Sequence, residues 1–515
     1  MTEDSKVVKS IFTGGAIIFI GLVISKLFSL LYRVIVGRTL GPEEYGIISV
    51  MLAVSSVIGA LAYIGIPNGV QKYVSEYRGR KDLEKQVETI RTALIIVSLP
   101  SFLTGAALFI FAPWLSTEVF NEPRAIWPLR FIAVILPLRA WRKVLIKTTE
   151  AHEKMQYKVY THYFYQNIAK VFLTVILVML GYGYLGAAAA FAFAWGTGVI
   201  LAVYFSYKVL PELYRLPKSE NSSYRKLLDH SWPLFAAGLF ASIAGYIDTF
   251  MLQAFLGSEE VGLYNAAYPF AAAITFAGSA FGSIYLSNAS KLYGAGKKTE
   301  MTNAYRLVVK WISIVSLPMF MVMTAFPHAV LQVFGTEYLG MGNVLRILAL
   351  GFLLSTVIGP VSKVIQAVDK TKYKLYITLL IGSSNIVLNY LLIPLYGIMG
   401  AAYATTITFG LAFLVKIGVI RYLTGQQPFR PAILKIITSS GLSALIVYLI
   451  SHMLFETTPL WYLFIALPLY GLIYLSLTLV TRTLDNEDII VLKYVRDSTG
   501  LQNQKIEEII KKYSN

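Results

Sequence analysis

The residues in this chain that could do chemistry are charges set where charge is costly. Lys26 lies about 15 residues into a long apolar stretch, roughly 22 Å from its start at 1.5 Å per residue. Lys170 lies about 12 residues into another, near its middle. Arg139, Arg142 and Lys143 follow at spacings of three and four, which puts them on one helix face. Arg33, Arg130, Arg346 and Lys363 stand nearer the ends of such stretches, and Asp248 is the carboxylate clearly inside one. Ionisable groups within a membrane usually face a bundle interior or a wet cavity. A cavity lined by several cations in low dielectric draws in an anion. Arg offers phosphate oxygens a planar fork and Lys a point charge, and a pyrophosphate matches such a cluster in charge. Lys26, Arg33, Arg130, Arg139, Arg142, Lys170 and Arg346 are therefore the candidate substrate-binding set.

Plainer readings stand beside these. Arg33, Arg130, Arg346 and Lys363 are placed to snorkel to an interface, and Arg142 and Lys143 would also suit a helix that projects beyond the membrane. Asp248 either neutralises a cation or binds a coupling proton or sodium ion. The chain has 34 Tyr, 29 Phe and 7 Trp, rings on which sugars stack. Membrane interfaces gather the same residues. There is no cysteine, so thiolate chemistry is excluded. The five histidines (His152, His162, His230, His328, His452) lack ligand spacing. No metal, no other cofactor and no catalytic residue is expected.

The elements that must carry these charges are membrane spans. Hydrophobic residues make up 56% of the 515, and charged ones 14%, against roughly a quarter charged in soluble domains. Spans of about 20 apolar residues are expected near 10–36, 44–66, 88–112, 125–148, 158–180, 184–208, 231–256, 260–288, 304–326, 342–366, 373–394, 398–420, 432–454 and 459–481. Net charge is +17, and its placement excludes nucleic acid as a partner. Cations fill alternate gaps, among them Arg78, Arg80 and Lys81, then Lys154 and Lys158, then Arg225 and Lys226. The gaps between hold acids such as Glu43, Glu44, Glu118, Glu122, Glu259 and Glu260. Cytoplasmic loops retain cations, so both termini are expected in the cytoplasm of a cell-membrane protein. The first apolar stretch is too long for a cleavable signal. Residues 482–515 read as a cytoplasmic amphipathic tail, with Ile489, Leu492, Val495, Ile506, Ile509 and Ile510 at helical spacing.

The chain also repeats itself. Leu40-Gly41-Pro42-Glu43-Glu44-Tyr45-Gly46 recurs as Leu256-Gly257-Ser258-Glu259-Glu260-Val261-Gly262, a shift of 216. Leu129-Arg130 meets Leu345-Arg346 at the same shift. An even six spans per copy makes the repeat parallel, with its axis along the membrane normal. The expected architecture is all-α and polytopic. Residues 1–208 form a first six-helix lobe, 209–230 a cytoplasmic linker, 231–420 a second lobe and 421–481 two appended helices. The Glu43-Glu44 and Glu259-Glu260 pairs follow Gly-Pro and Gly-Ser where a helix restarts. Acids complement the dipole there, so they read as helix starts before acid–base catalysts.

The run Tyr32-Arg33 into Gly37-Arg38-Thr39-Leu40-Gly41-Pro42-Glu43-Glu44-Tyr45-Gly46, with Gly65-Ile66-Pro67-Asn68-Gly69 and the basic segment after it, resembles the multidrug/oligosaccharidyl-lipid/polysaccharide exporter superfamily. The likeness is strongest to its polysaccharide transport branch of O-antigen-type and oligosaccharide-lipid flippases. It implies 14 spans, with two six-helix lobes in a V shape around a central cationic cavity and two further helices that help form a lipid groove. It implies movement of a polyprenyl-(pyro)phosphate-linked oligosaccharide from the cytoplasmic to the outer leaflet by alternating access. Membrane lipid, and glycosyltransferases or a polymerase of the same pathway, are the implied partners. Charged residues of the family's first and seventh spans correspond by position to Lys26, Arg33 and Asp248. The competing classes are a lipid II flippase, a multidrug or cation antiporter of the same superfamily, and a membrane glycosyltransferase or polymerase. The cations argue against the antiporter. The short outer loops, 113–124 and 327–341 being the longest, argue against the enzyme.

Overall fold

A computed structural model describes residues 3–215, 224–425, 427, 429–456, 458–484 and 488. The expected amphipathic positions from Ile489 onward, and 216–223 of the expected linker, lie outside the described residues. Every regular element among the described residues is helical. Ten helices there are long and apolar enough to cross a membrane, and the chain is a multi-pass membrane protein. The expected spans 10–36 and 44–66 are joined in one kinked helix that ends at Tyr63. The helix over 125–148 carries Arg130, Arg139, Arg142 and Lys143, and 158–180 carries His162, Gln166, Asn167 and Lys170. The stretch 260–288 is divided at Ile274. Polarity inside 125–148 and 158–180 is what keeps them out of a count based on composition.

The chain divides into two compact units, Met1–Gly262 and Leu263–Asn515. In the first, α1 (Glu3–Tyr63) kinks at Gly41, where φ is 80° and ψ 175°. Only glycine adopts such a conformation readily, and Pro42 then sits at the first turn of the second limb, where its missing N–H costs nothing. α2 (Ile66–Gly79) and α3 (Leu83–Trp114) follow, the latter capped by Asp82 accepting from the Lys85 N–H at 3.0 Å. Then come α4 (Ile126–Ala151), α5 (Met155–Lys158), a π-helical run Val159–Tyr165, α6 (Gln166–Met179), α7 (Gly183–Val209), α8 (Glu212–Arg215) and α9 (Tyr224–Phe255). α7 packs on α4, α6 and α1, and its Ala187, Ala188, Ala190 and Ala194 are fully buried. Small residues let membrane helices approach closely. Large apolar side chains such as Leu99, Ile110, Phe172 and Met179 are exposed, as a lipid-facing surface requires.

α9 packs on α1 and α2, so compactness divides the chain later than the sequence repeat does. Within the first unit the two copies of the repeated motif meet. A Cβ on Gly46 would lie 1.6 Å from the Ser258 carbonyl oxygen, and one on Gly262 1.8 Å from that of Pro42. The contact is reciprocal at the 216-residue shift, since Gly46 pairs with Gly262 and Pro42 with Ser258.

The second unit holds the remainder of α10 (Ser258–Ala273), then α11 (Thr275–Gly294), α12 (Lys298–Ala325), α13 (Pro327–Leu331), α14 (Gly342–Val357), α15 (Val361–Ala367), α16 (Thr371–Tyr396) and α17 (Ile398–Thr424). α18 (Ala432–Leu454) and α19 (Leu463–Val480) complete it. Helix pairings recur between the units: α4 on α7 has its counterpart in α14 on α17, and α6 on α7 in α16 on α17. Duplication is thus legible in packing as well as in sequence. The Tyr474 hydroxyl donates to the Ile314 carbonyl at 3.1 Å and docks α19 on α12.

Candidate functional site

α4 is the element that builds the site. Arg139, Arg142, Lys143 and Lys147 descend one side of it toward Ala151. Arg139 and Arg142 are only 5% and 4% exposed, so packing fixes their guanidinium groups. α7 makes room for them: a Cβ on Gly198 would lie 3.1 Å from Arg142 Cδ. Both guanidiniums stand over the Trp195 ring, Arg139 at 4.1 Å and Arg142 at 4.9 Å from its centroid. Arg139 Nη1 donates to the Ser55 hydroxyl and reaches the Ser55 carbonyl at 3.4 Å, which ties α4 to the second limb of α1. Arg142 Nη1 donates to Gln166 Oε1 at 2.8 Å, and the same oxygen lies 2.7 Å from His162 Nδ1. The π-helical run presents His162 and Tyr163 on this side; π-turns frequently mark functional positions. The Nε atoms of Arg139 and Arg142 are buried with no hydrogen-bond partner.

These side chains border two adjoining chambers inside the first unit. The near chamber, of about 600 Å³, is lined by five cations (Arg139, Arg142, Lys143, Lys147, Lys158) and one carboxylate, Glu150. That carboxylate already pairs with Lys147 at 2.7 Å and Lys158 at 3.0 Å. Lys143 stands over the Tyr63 ring at 4.1 Å. The deep chamber, of about 400 Å³, is lined by Lys26, Arg33, Arg139 and Lys170 and, among the described residues, by no carboxylate. Lys170, 6% exposed, donates to Asn167 Oδ1 at 3.4 Å and sits over the Tyr32 ring at 4.5 Å. Arg33 Nη1 donates to the Tyr45 hydroxyl at 3.3 Å. Among the described residues, the lining of the deep chamber is thus cations, neutral dipoles and rings.

Of the expected substrate-binding set, the fold brings together Lys26, Arg33, Arg139, Arg142 and Lys170 around these chambers. Arg130 is elsewhere on α4, over the rings of Phe109 and Trp127 at 4.9 and 5.2 Å. Arg346, in the second unit, donates to the Thr324 carbonyl at 3.0 Å and to Asn343 at 2.9 Å. Asp248 is buried on α9 and lines neither chamber. Sequence reasoning missed Trp195, Tyr63, His162 and Gln166. The one available signal was Gln166-Asn167, polar in an apolar stretch and one turn before Lys170.

The family profile described as polysaccharide biosynthesis protein matches residues 11–284, and that described as MatE matches 233–391. The uncharacterized membrane protein MJ1068 of Methanocaldococcus jannaschii is 22% identical over 417 residues, which cover 77% of this chain and 81% of that protein. The probable low-salt glycan biosynthesis flippase Agl15 of Haloferax volcanii is 24% identical over 217 residues, 41% of this chain and 45% of that one. Among solved structures, the lipid II flippase MurJ in an inward closed conformation aligns with a TM-score of 0.71 at 15% identity, covering 92% of this chain and 100% of MurJ. With more than half its length matched by the first profile, the chain belongs to the polysaccharide biosynthesis protein family of the multidrug/oligosaccharidyl-lipid/polysaccharide exporter superfamily.

Proposed function

We propose that this protein is a flippase that carries a polyprenyl-(pyro)phosphate-linked oligosaccharide from the cytoplasmic to the outer leaflet, in support of surface-polysaccharide or glycan biosynthesis. The observation that carries the reading is the cationic near chamber, in which the single carboxylate is already engaged by two lysines. A phosphorylated headgroup compensates the remaining cations, while its lipid tail stays in hydrocarbon. Fourteen spans, a cell-membrane location and cytoplasmic termini complete the proposal. Transport proceeds by alternating exposure of the chamber, with membrane lipid and pathway glycosyltransferases or a polymerase as partners. Asp248 is the candidate site for a coupling proton or sodium ion, or for charge pairing. Agl15, a probable glycan flippase by name, supports the glycan substrate. A multidrug or cation antiporter fits poorly, because cationic walls repel cationic drugs.

The test is transfer of a labelled lipid-linked oligosaccharide in proteoliposomes. Arg139→Gln with Arg142→Gln is expected to lower the rate at least about tenfold, since each lost charge-assisted contact is worth about 1.5–3 kcal/mol. Undiminished transfer by a correctly inserted double variant sinks the proposal. Transfer of lipid II in preference to oligosaccharide-lipid redirects it to the second substrate class, for which the MurJ fold likeness is the motive.

A further inference from the structure

The two chambers share a wall of Ser56, Arg139, His162, Tyr163 and Trp195. That wall is built, not incidental. Arg139 bridges from α4 to Ser55 on α1 and lies against the Trp195 ring of α7. Three helices thus meet at one guanidinium between the chambers. On either side lie cations for which, among the described lining residues, no carboxylate is left over. In the near chamber these are Arg142 and Lys143, because Glu150 is taken by Lys147 and Lys158. In the deep chamber they are Lys26, Arg33 and Lys170; among the described residues Arg33 meets Tyr45, and Lys170 meets Asn167 and the Tyr32 ring. Each chamber falls within the range of about 300–1,000 Å³ usual for a small-ligand site, so each can take an anion of its own.

We infer that the first unit holds two anion stations in series, for successive positions of a phosphate-bearing headgroup, with Arg139 common to both. This rests on the anion-carrying reading above and adds a second, separable site to it. A phosphate entering at the Lys143 end is held by Arg142 and Lys143. It then passes Arg139 to reach Lys26 and Lys170. Arg139 faces both chambers, so the anion keeps one guanidinium contact throughout the transfer and never crosses a region without a cation. Trp195 is a positioning residue: its ring holds Arg139 and Arg142 side by side at the divide.

The probe is inorganic pyrophosphate, titrated calorimetrically into the full chain in detergent micelles. The wild type is expected to bind two equivalents. Lys26→Met and Lys143→Met should each lose one and keep the other within about twofold, and the double variant should lose both. Both positions are exposed to their chambers, and an unchanged unfolding midpoint checks that the variants fold. Lys170→Met should reproduce Lys26→Met. Arg139→Gln should weaken both sites. One equivalent in the wild type, weakened alike by Lys26→Met and Lys143→Met, overturns the two stations while leaving an anion carrier. No pyrophosphate binding by the wild type overturns the anion reading itself.

Discussion

The intramembrane cations fall into two kinds, distinguished by what stands next to each. Lys310, on α12, is fully buried and donates to Asp488 at 2.5 Å, and Trp311 Nε1 donates to the other oxygen of that carboxylate at 2.8 Å. This charge is compensated, and it ties Asp488 to α12. The buried Arg139, Arg142 and Lys170 are instead bonded to neutral groups, Ser55, Gln166 and Asn167. Breaking a buried pair by removing one member costs about 3–5 kcal/mol, whereas replacing both by apolar groups is often neutral. Asp488→Ala is therefore expected to lower the thermal unfolding midpoint in detergent, and Lys310→Met with Asp488→Leu to restore it. Equal midpoints for Asp488→Ala and the wild type count against the tie. In sequence Lys310 was not separable from the loop cations, because its partner lies 178 residues away.

Among the elements, the turn at Gly41–Pro42 and that at Gly257–Ser258 do more than begin helices. Their carboxylate and hydroxyl groups join one network. Arg124 bonds Glu43 and, through Nε at 2.8 Å, Glu122; Ser258 Oγ donates to Glu122 Oε2 at 2.9 Å; and Gln253 Nε2 donates to the Phe120 carbonyl at 2.8 Å. Burial pushes the Glu122 carboxyl up, but the bonds from Arg124 and Ser258 outweigh it and hold the group below its ordinary range. A depressed carboxylate stabilises the fold fully above the unfolded value of about 4.3 and loses that contribution as pH falls through the lowered one. Acid should therefore weaken this network, by about 1 kcal/mol given the partial exposure of Arg124. Glu122→Gln should flatten the acid limb of a stability-against-pH curve, and an unchanged limb would show that Glu122 does not carry it. Gly46→Ala should be more damaging. Its Cβ meets backbone oxygen, a contact that rotamer adjustment cannot relieve, and overpacking typically costs about 1–3 kcal/mol or more. A yield and midpoint equal to wild type would mean the helices can part there freely.

At the scale of the molecule, the repeat is symmetric in packing and asymmetric in charge. At the 216-residue shift Arg139, Arg142 and Lys170 correspond to Ser355, Ile358 and Ile386, while Lys26 and Arg33 correspond to Ser242 and Thr249. The alternation of basic and acidic loops predicts the orientation of the whole. A fluorescent tag after Asn515 should report a cytoplasmic end, and a signal from outside would reverse every sidedness assigned here.

The amino-acid sequence by itself determined the membrane class, the internal repeat and the excess of cations within apolar stretches. Hydropathy, loop charge and internal identity are local properties that survive without coordinates. Lys26, Arg33, Arg139, Arg142 and Lys170 were legible because a charge within apolar sequence stands out against its neighbours. Only tertiary structure decided which of these cations share a space, since that depends on helix rotation and on contacts far apart in the chain. It sent Arg130 to an aromatic shelf, used a π-helical run to turn His162 and Tyr163 toward the arginines, and set Trp195 between two chambers. Helical pitch and side-chain packing fix those directions, and no spacing rule for regular helices contains them.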